Sequence, residues 1–213
     1  MRKLITICIA LFTLTTLSAQ DAKSLLDDVS EKVKSYDNIK IDFKYTLNNT
    51  KENVKQEARG DVTLQGENYL LNMLGTTRIY DGKSIYNIVP EDEEVTISSY
   101  DPQDDKEITP SRMLTFYEKG YRYKLDILQN VKGRKIQFIK LIPINSNAEI
   151  KEILLGVDLQ TKHIFKLIQT DSQGTQFTIT VNSFKTNQPL SNTLFYFDET
   201  KYADEGYYIN KLD

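Results

Sequence analysis

Thiol, imidazole and indole are nearly missing from this chain, which has one cysteine, one histidine and no tryptophan among 213 residues. Cys8 lies inside an apolar N-terminal run, so no disulfide or thiol chemistry is available beyond it. One histidine without cysteines cannot build a zinc cluster. A serine triad needs a positioned base, and His163 falls in a turn between two expected strands with no Gly-x-Ser-x-Gly nearby. The acidic runs Glu91 to Glu94 and Asp101 to Glu107 lack the ligand spacing and central glycine of a calcium loop. No glycine-rich phosphate loop is present. The expectation is therefore a protein with no catalytic residues, no metal and no cofactor. Basic surplus is missing too: the net charge of −3 argues against nucleic acid as a partner.

The first twenty residues read as a cleaved signal peptide. Arg2 and Lys3 precede an apolar run from Leu4 to Leu17, and Ser18, Ala19 and Gln20 suit a cleavage site. About 14 residues are too few to span a bilayer comfortably. Removal of Arg2 and Lys3 leaves 25 basic against 30 acidic residues. Residues 21–213 then form a single domain, exported to the periplasm and expected to be a monomer, with length enough for one hydrophobic core.

Two periodicities follow. Ala22, Leu25, Leu26, Val29, Val33 and Tyr36 recur at three- and four-residue steps, predicting a leading amphipathic helix. The period then drops to two at Ile39, Ile41, Phe43, Tyr45 and Leu47. Short strands succeed one another to Phe184, with Gly60 suggesting a bulge or bend and Asp81-Gly82 a hairpin turn. Thr109-Pro110-Ser111 reads as a second helix start, ending at Gly120. The fold class is α+β, mainly β: an unclosed, strongly curved antiparallel barrel of ten or eleven strands with a helical lid. A membrane barrel alternates in the same way, but two amphipathic helices and a four-residue strand oppose it. Periodicity leaves open whether the sheet encloses a packed core or an apolar pocket.

Several segments in order resemble one family. Gly60-Asp61-Val62-Thr63-Leu64 is similar to a Gly-x-Leu strand, and Asp81-Gly82-Lys83-Ser84-Ile85-Tyr86 to an Asp-Gly-Lys hairpin. Thr109 to Leu114 resembles a lid-helix start and Val157 to Lys162 a Val-Asp-x-x-Thr turn. Pro189 to Phe197 matches a Pro-Leu-x-x-x-x-Phe-x-Phe ending. Together they resemble the LolA family, the periplasmic carriers of outer-membrane lipoproteins. The resemblance implies a carrier that takes lipidated cargo proteins from an inner-membrane lipoprotein-releasing ABC transporter to an outer-membrane acceptor. It implies an acyl-chain cavity, which we assign to Leu25, Val29, Val33, Ile41, Phe43, Tyr45, Val62, Leu64, Leu70 and Tyr86, under a lid of Met113, Leu114 and Phe116. The alternative is a static lipid- or glycolipid-binding receptor or sensor on the same fold. One departure stands out. Where well-known members carry an Arg-Pro latch, this chain has Gln65-Gly66-Glu67, so the lid is expected to be held by apolar contact alone. The Tyr-rich segment from Tyr202 to Leu212 has no counterpart in the shorter family ending.

Overall fold

A computed structural model describes residues 20–100, 109–145 and 147–212. The expected signal segment, apart from Gln20, and the acidic stretch Asp101 to Ile108 lie outside the described residues. Helix α1 covers residues 20–34. Eleven strands follow: β1 Ile39–Asn49, β2 Val54–Gln65, β3 Asn68–Met73, β4 Thr76–Tyr80, β5 Ser84–Val89, β6 Glu94–Ser99, β7 Tyr121–Val131, β8 Arg134–Pro143, β9 Ile150–Asp158, β10 Ile164–Asp171 and β11 Gln176–Thr186. Helix α2, Glu199–Asp204, and strand β12, Tyr208–Leu212, end the chain. All twelve strands belong to one sheet, in the order β12-β6-β5-β4-β3-β2-β1-β11-β10-β9-β8-β7. The sheet is open, with β12 and β7 as its edges. Among the described residues no helix is long and apolar enough to cross a membrane.

The expected open antiparallel sheet with helices is present, with three corrections. The strands number twelve, and the last of them pairs parallel: Tyr208 to Leu212 lie against Glu94 to Ser98 of β6. The mid-chain α-helix is instead two 3-10 turns, Arg112–Leu114 and Phe116–Glu118. Few residues separate Pro110 from Gly120, too few for an isolated helix to repay its nucleation cost. The Thr109 hydroxyl also accepts from the Arg112 amide at 3.4 Å, offering the backbone a non-helical partner. Finally, the β2–β3 pairing shows no register shift at Gly60, which stands opposite Met73.

Chain contacts separate the described residues into two compact units: those within 20–35, 46–56 and 117–180, and those within 36–45, 57–100, 109–116 and 181–212. In the first unit, β7 to β10 form consecutive antiparallel pairs. Ile139, Leu141, Ile153, Leu155 and Val157 are buried on one face, because Ile139 pairs with Leu155 and Leu141 with Ile153. Asp158, buried at the end of β9, accepts from the amides of Gln160 and Thr161 at 2.9 and 3.3 Å and so builds the β9–β10 turn.

In the second unit the core is Ile79, Ile88, Val95, Phe195 and Phe197, with Leu70, Tyr86 and Ile97 packed against it. The C-terminal segment supplies two of its five buried residues, Phe195 and Phe197. Asp198 caps α2 by accepting from the Lys201 amide at 3.1 Å, and Gly206, at φ +89°, ends the turn after it. Tyr86, Phe197 and Tyr202 stack with ring centroids 4.5 and 5.1 Å apart. That is the role of the Tyr-rich ending: it covers one sheet face and adds a strand.

Each unit lays a phenylalanine ring on a strand glycine. A Cβ at Gly156 would stand 3.0 Å from the Phe138 ring and 3.1 Å from Ile136; one at Gly60 would stand 2.6 Å from the Phe43 ring and 2.7 Å from the Asn72 carbonyl oxygen. A ring can tilt; a backbone carbonyl held in a ladder cannot. Gly156→Ala is expected to cost about 1–3 kcal/mol by overpacking, and Gly60→Ala more. Thermal unfolding of both variants checks this, and a Gly60→Ala protein melting above Gly156→Ala would contradict it.

Candidate functional site: an apolar sheet face and its cover

Strand register decides which side chains can form a site. In the second unit the two-residue turn Gly66-Glu67 sets Gln65 opposite Asn68, Leu64 opposite Tyr69 and Val62 opposite Leu71. Tyr69 pairs with Tyr80, and Tyr80 with Ile85. Directly paired residues share a face. Val62, Leu64, Tyr69, Leu71, Tyr80 and Ile85 therefore form one apolar face, all buried except the half-buried Leu71. The Phe43 ring over Gly60 places Phe43 and Ile41, both buried, on the same face, because residues two apart on a strand point alike. The half-buried Tyr45 follows in the same alternation.

The opposite face carries Thr63, Leu70, Ile79, Tyr86 and Ile97, and the C-terminal segment packs on it. Leu70 and Tyr86, assigned by sequence to the face of Val62 and Leu64, are thus on the other one. Tyr86 also donates from its hydroxyl to Asp81 at 2.8 Å. Asp81 in turn accepts from the amides of Lys83 and Ser84 at 2.9 and 2.8 Å. Burial alone would raise the Asp81 carboxyl, but these donors outweigh it and hold the group below its usual range.

The segment expected to form the lid begins beside the Gly66-Glu67 turn at one end of this face. Met113 and Phe116 are half-buried, and Leu114 is buried at 8% exposure. Polar and aromatic contacts hold the segment as well. Ser111 donates to the Glu67 carboxylate at 3.2 Å, and the Ser111 and Thr109 hydroxyls lie 3.0 Å apart. The Arg112 guanidinium sits 5.9 Å from the Tyr100 ring centre, close enough for a cation–π attraction. Tyr100 meets Tyr80 edge-on at 4.9 Å, and Tyr80 meets Tyr69 at 5.8 Å. A line of rings thus runs from the apolar face to the cover. The expected purely apolar fastening is corrected: Glu67, in the stretch where an arginine was looked for, accepts the bond. Sequence reading missed Tyr69, Tyr80, Ile85 and Tyr100. The two-residue turn was the available signal for the first three, since it dictates the register.

In the first unit, α1 carries Leu25, Leu26 and Val29 buried and Val33 half-buried. The 3-10 turn ending at Glu118 is tied to this helix. Glu118 accepts from the Ser30 hydroxyl and from Lys34 at 2.7 Å, while Tyr123 donates to the Tyr117 carbonyl at 2.8 Å. These side chains, with Lys23, Leu26 and Asp27, line a pocket of about 440 Å³.

A family description fits this arrangement. The model of the outer membrane lipoprotein carrier protein LolA matches residues 34–198. The chain belongs to the LolA family. Solved structures show the same fold at low identity. An uncharacterized conserved protein from Thermus thermophilus is 10% identical, with 90% of this chain and 99% of that one covered and a TM-score of 0.60. LprF from Mycobacterium bovis is 14% identical, with 82% and 98% covered and a TM-score of 0.51. No curated protein sequence matches closely enough to count as a relative. Within the LolA family frame, the Gly-x-Leu strand is β2, the Asp-Gly-Lys hairpin joins β4 to β5, and the Val-Asp turn joins β9 to β10.

Hydrogen bonds from Lys34 and Ser30 hold Glu118 below its ordinary value of 4.5 despite some burial. A depressed carboxyl contributes stability that is full above its unfolded value and is lost as pH falls through the folded one. Melting temperature should therefore fall below pH 4.5, and Glu118→Gln should flatten part of that fall; an unchanged acid limb would refute the linkage. For the cover, Ser111→Ala removes one neutral-to-carboxylate bond, worth about 1 kcal/mol or less at an exposed site. Amide hydrogen exchange across residues 109–116 should speed up by roughly fivefold or less, and no acceleration would show that this bond does not hold the segment.

Proposed function

We propose that this LolA-family protein is a periplasmic carrier that holds the acyl chains of lipoproteins on the face formed by Phe43, Val62, Leu64, Tyr69, Leu71 and Tyr80. The segment of Met113, Leu114 and Phe116 is its movable cover, and the protein is not an enzyme. The observation that carries this reading is the contrast between the two faces of β2 to β5. One is sealed by Phe195, Phe197 and the tyrosine stack. On the other, the segment from Thr109 to Phe116 is held by contacts that include the Ser111–Glu67 bond and the approach of Arg112 to the Tyr100 ring. Each methylene moved out of water contributes about 0.8 kcal/mol, so a few acyl chains can displace fastenings of this size. Transfer needs a surface that yields: rings and a thioether repack around cargo at little cost. The cargo would come from an inner-membrane lipoprotein-releasing ABC transporter and go to an outer-membrane acceptor.

Photocrosslinkers on adjacent residues of β3 test the assignment. A probe at Leu71 should capture lipidated cargo and one at Leu70 should not, since the two point to opposite faces. Phe116→Asp should reduce cargo capture at least about tenfold while thermal unfolding stays cooperative. Capture at Leu70 and not at Leu71, or full capture by the Phe116→Asp protein, would overturn the reading. Mass spectrometry of copurified lipids separates a carrier from a static receptor: a carrier's lipoproteins exchange onto acceptor membranes, and a receptor's ligand stays bound.

A further inference from the structure

The edge hairpin β7–β8 has a charge unlike the rest of the chain. From Lys119 to Leu141 there are seven basic residues, Lys119, Arg122, Lys124, Lys132, Arg134, Lys135 and Lys140, against the single acid Asp126. Elsewhere the protein is acidic, since the whole carries −3. Lys140 is paired with Glu152 at 3.1 Å, and Arg134 stacks 4.8 Å from the Phe165 ring centre. Lys119, Arg122, Lys124, Lys132 and Lys135 have no ion pair among the described residues. Lys124 stands directly opposite Lys140 across the strands, an arrangement that destabilises a sheet.

Apolar side chains interrupt this basic row. Ile127, Leu128 and Ile144, on or next to the hairpin, are 54%, 53% and 64% exposed. β7 is the last strand of the sheet, so its outer edge could in principle accept another strand. A bulge forbids that. Leu125 pairs with Ile139 and Leu128 with Gln137, leaving Asp126 and Ile127 together opposite Phe138. Bulges at an edge break the ladder that strand addition would extend. Contact must then be made through side chains.

We propose that the β7–β8 hairpin docks the protein on an anionic phospholipid surface, with Ile127, which lies opposite Phe138 on the face of Lys124 and Lys140, and Ile144 entering the headgroup layer beside the lysines. Five of the seven basic residues are lysines, compact point charges suited to a fluid layer of phosphates. A fitted protein interface favours arginine and depletes lysine. The Lys124–Lys140 repulsion is relieved when phosphates come between the two. The hairpin shares no residue with the acyl-binding face proposed above.

Flotation with vesicles tests the proposal. The purified protein should bind vesicles of phosphatidylcholine with about 30% phosphatidylglycerol, much less so pure phosphatidylcholine, and binding should weaken as salt screens the charges. The double variant Arg122→Glu, Lys124→Glu should bind the anionic vesicles at least about tenfold less. The single change Lys124→Glu should raise the melting temperature, because it sets opposite charges across the strands, so weaker binding cannot be put down to misfolding. The charge-matched variant Lys40→Glu, Lys185→Glu, away from the hairpin, should bind as the unmodified protein does. Cargo capture at Leu71 should persist in the hairpin variants, which separates this proposal from the carrier reading. Equal binding to both vesicle types, an unaffected double variant, an equal loss in the Lys40/Lys185 control, or binding only to acidic proteins would overturn it.

Discussion

Which side chains share a face in the second unit depends on the pairing of Leu64 with Tyr69 across the Gly66-Glu67 turn. Side chains alternate with a period of two, so a slip of one residue would exchange the two faces of β3 and of every strand paired after it. Gly66 makes the tight turn possible by taking φ +58°. From it follow the apolar face of Leu64, Tyr69 and Tyr80, and on the reverse the bed of Leu70, Ile79 and Tyr86 on which the C-terminus lies.

The two faces are closed by different kinds of interaction. Phe195, Phe197 and Tyr202 bury apolar and ring surface, which is strong in sum and opens only as a block. The Ser111–Glu67 bond and the Arg112–Tyr100 contact, each small, are among the interactions that hold the segment from Thr109 to Phe116. The carrier proposed here would use both, one face held shut by apolar burial and one closed by smaller contacts. The C-terminal strand contributes further by pairing with β6, which leaves the short β12 as the edge of the sheet in place of β6. At the other edge, β7 is protected by its bulge and its charge instead of by a cover.

The legible part of the sequence was the local part. The alternation from Ile39 to Leu47, the Asp81-Gly82 turn and the helical stripe of α1 depend on residues close in sequence, and these elements stand close to where they were expected. Leu70 and Tyr86 were misassigned because Tyr69-Leu70-Leu71 is apolar at consecutive positions, so alternation within β3 cannot name a face. The mid-chain helix was misread because Thr109-Pro110 is a good start for either kind of turn. α2 was overlooked although its cap, Asp198, and its stop, Gly206, stand in the sequence; the segment is too short to show a period.

Alone, the sequence determined the class of the molecule: strands in a meander, a leading helix, no thiol or imidazole cluster, and a chain of motifs matching one family. Those properties follow from composition and from neighbours within a few residues. Only the tertiary structure decided which apolar residues share a face, that Glu67 meets Ser111 44 positions away, and that the chain's last residues join its middle through β12 and β6. Each of these requires the pairing register or a long-range closure, whose free energy comes from contacts between segments that local propensity does not couple.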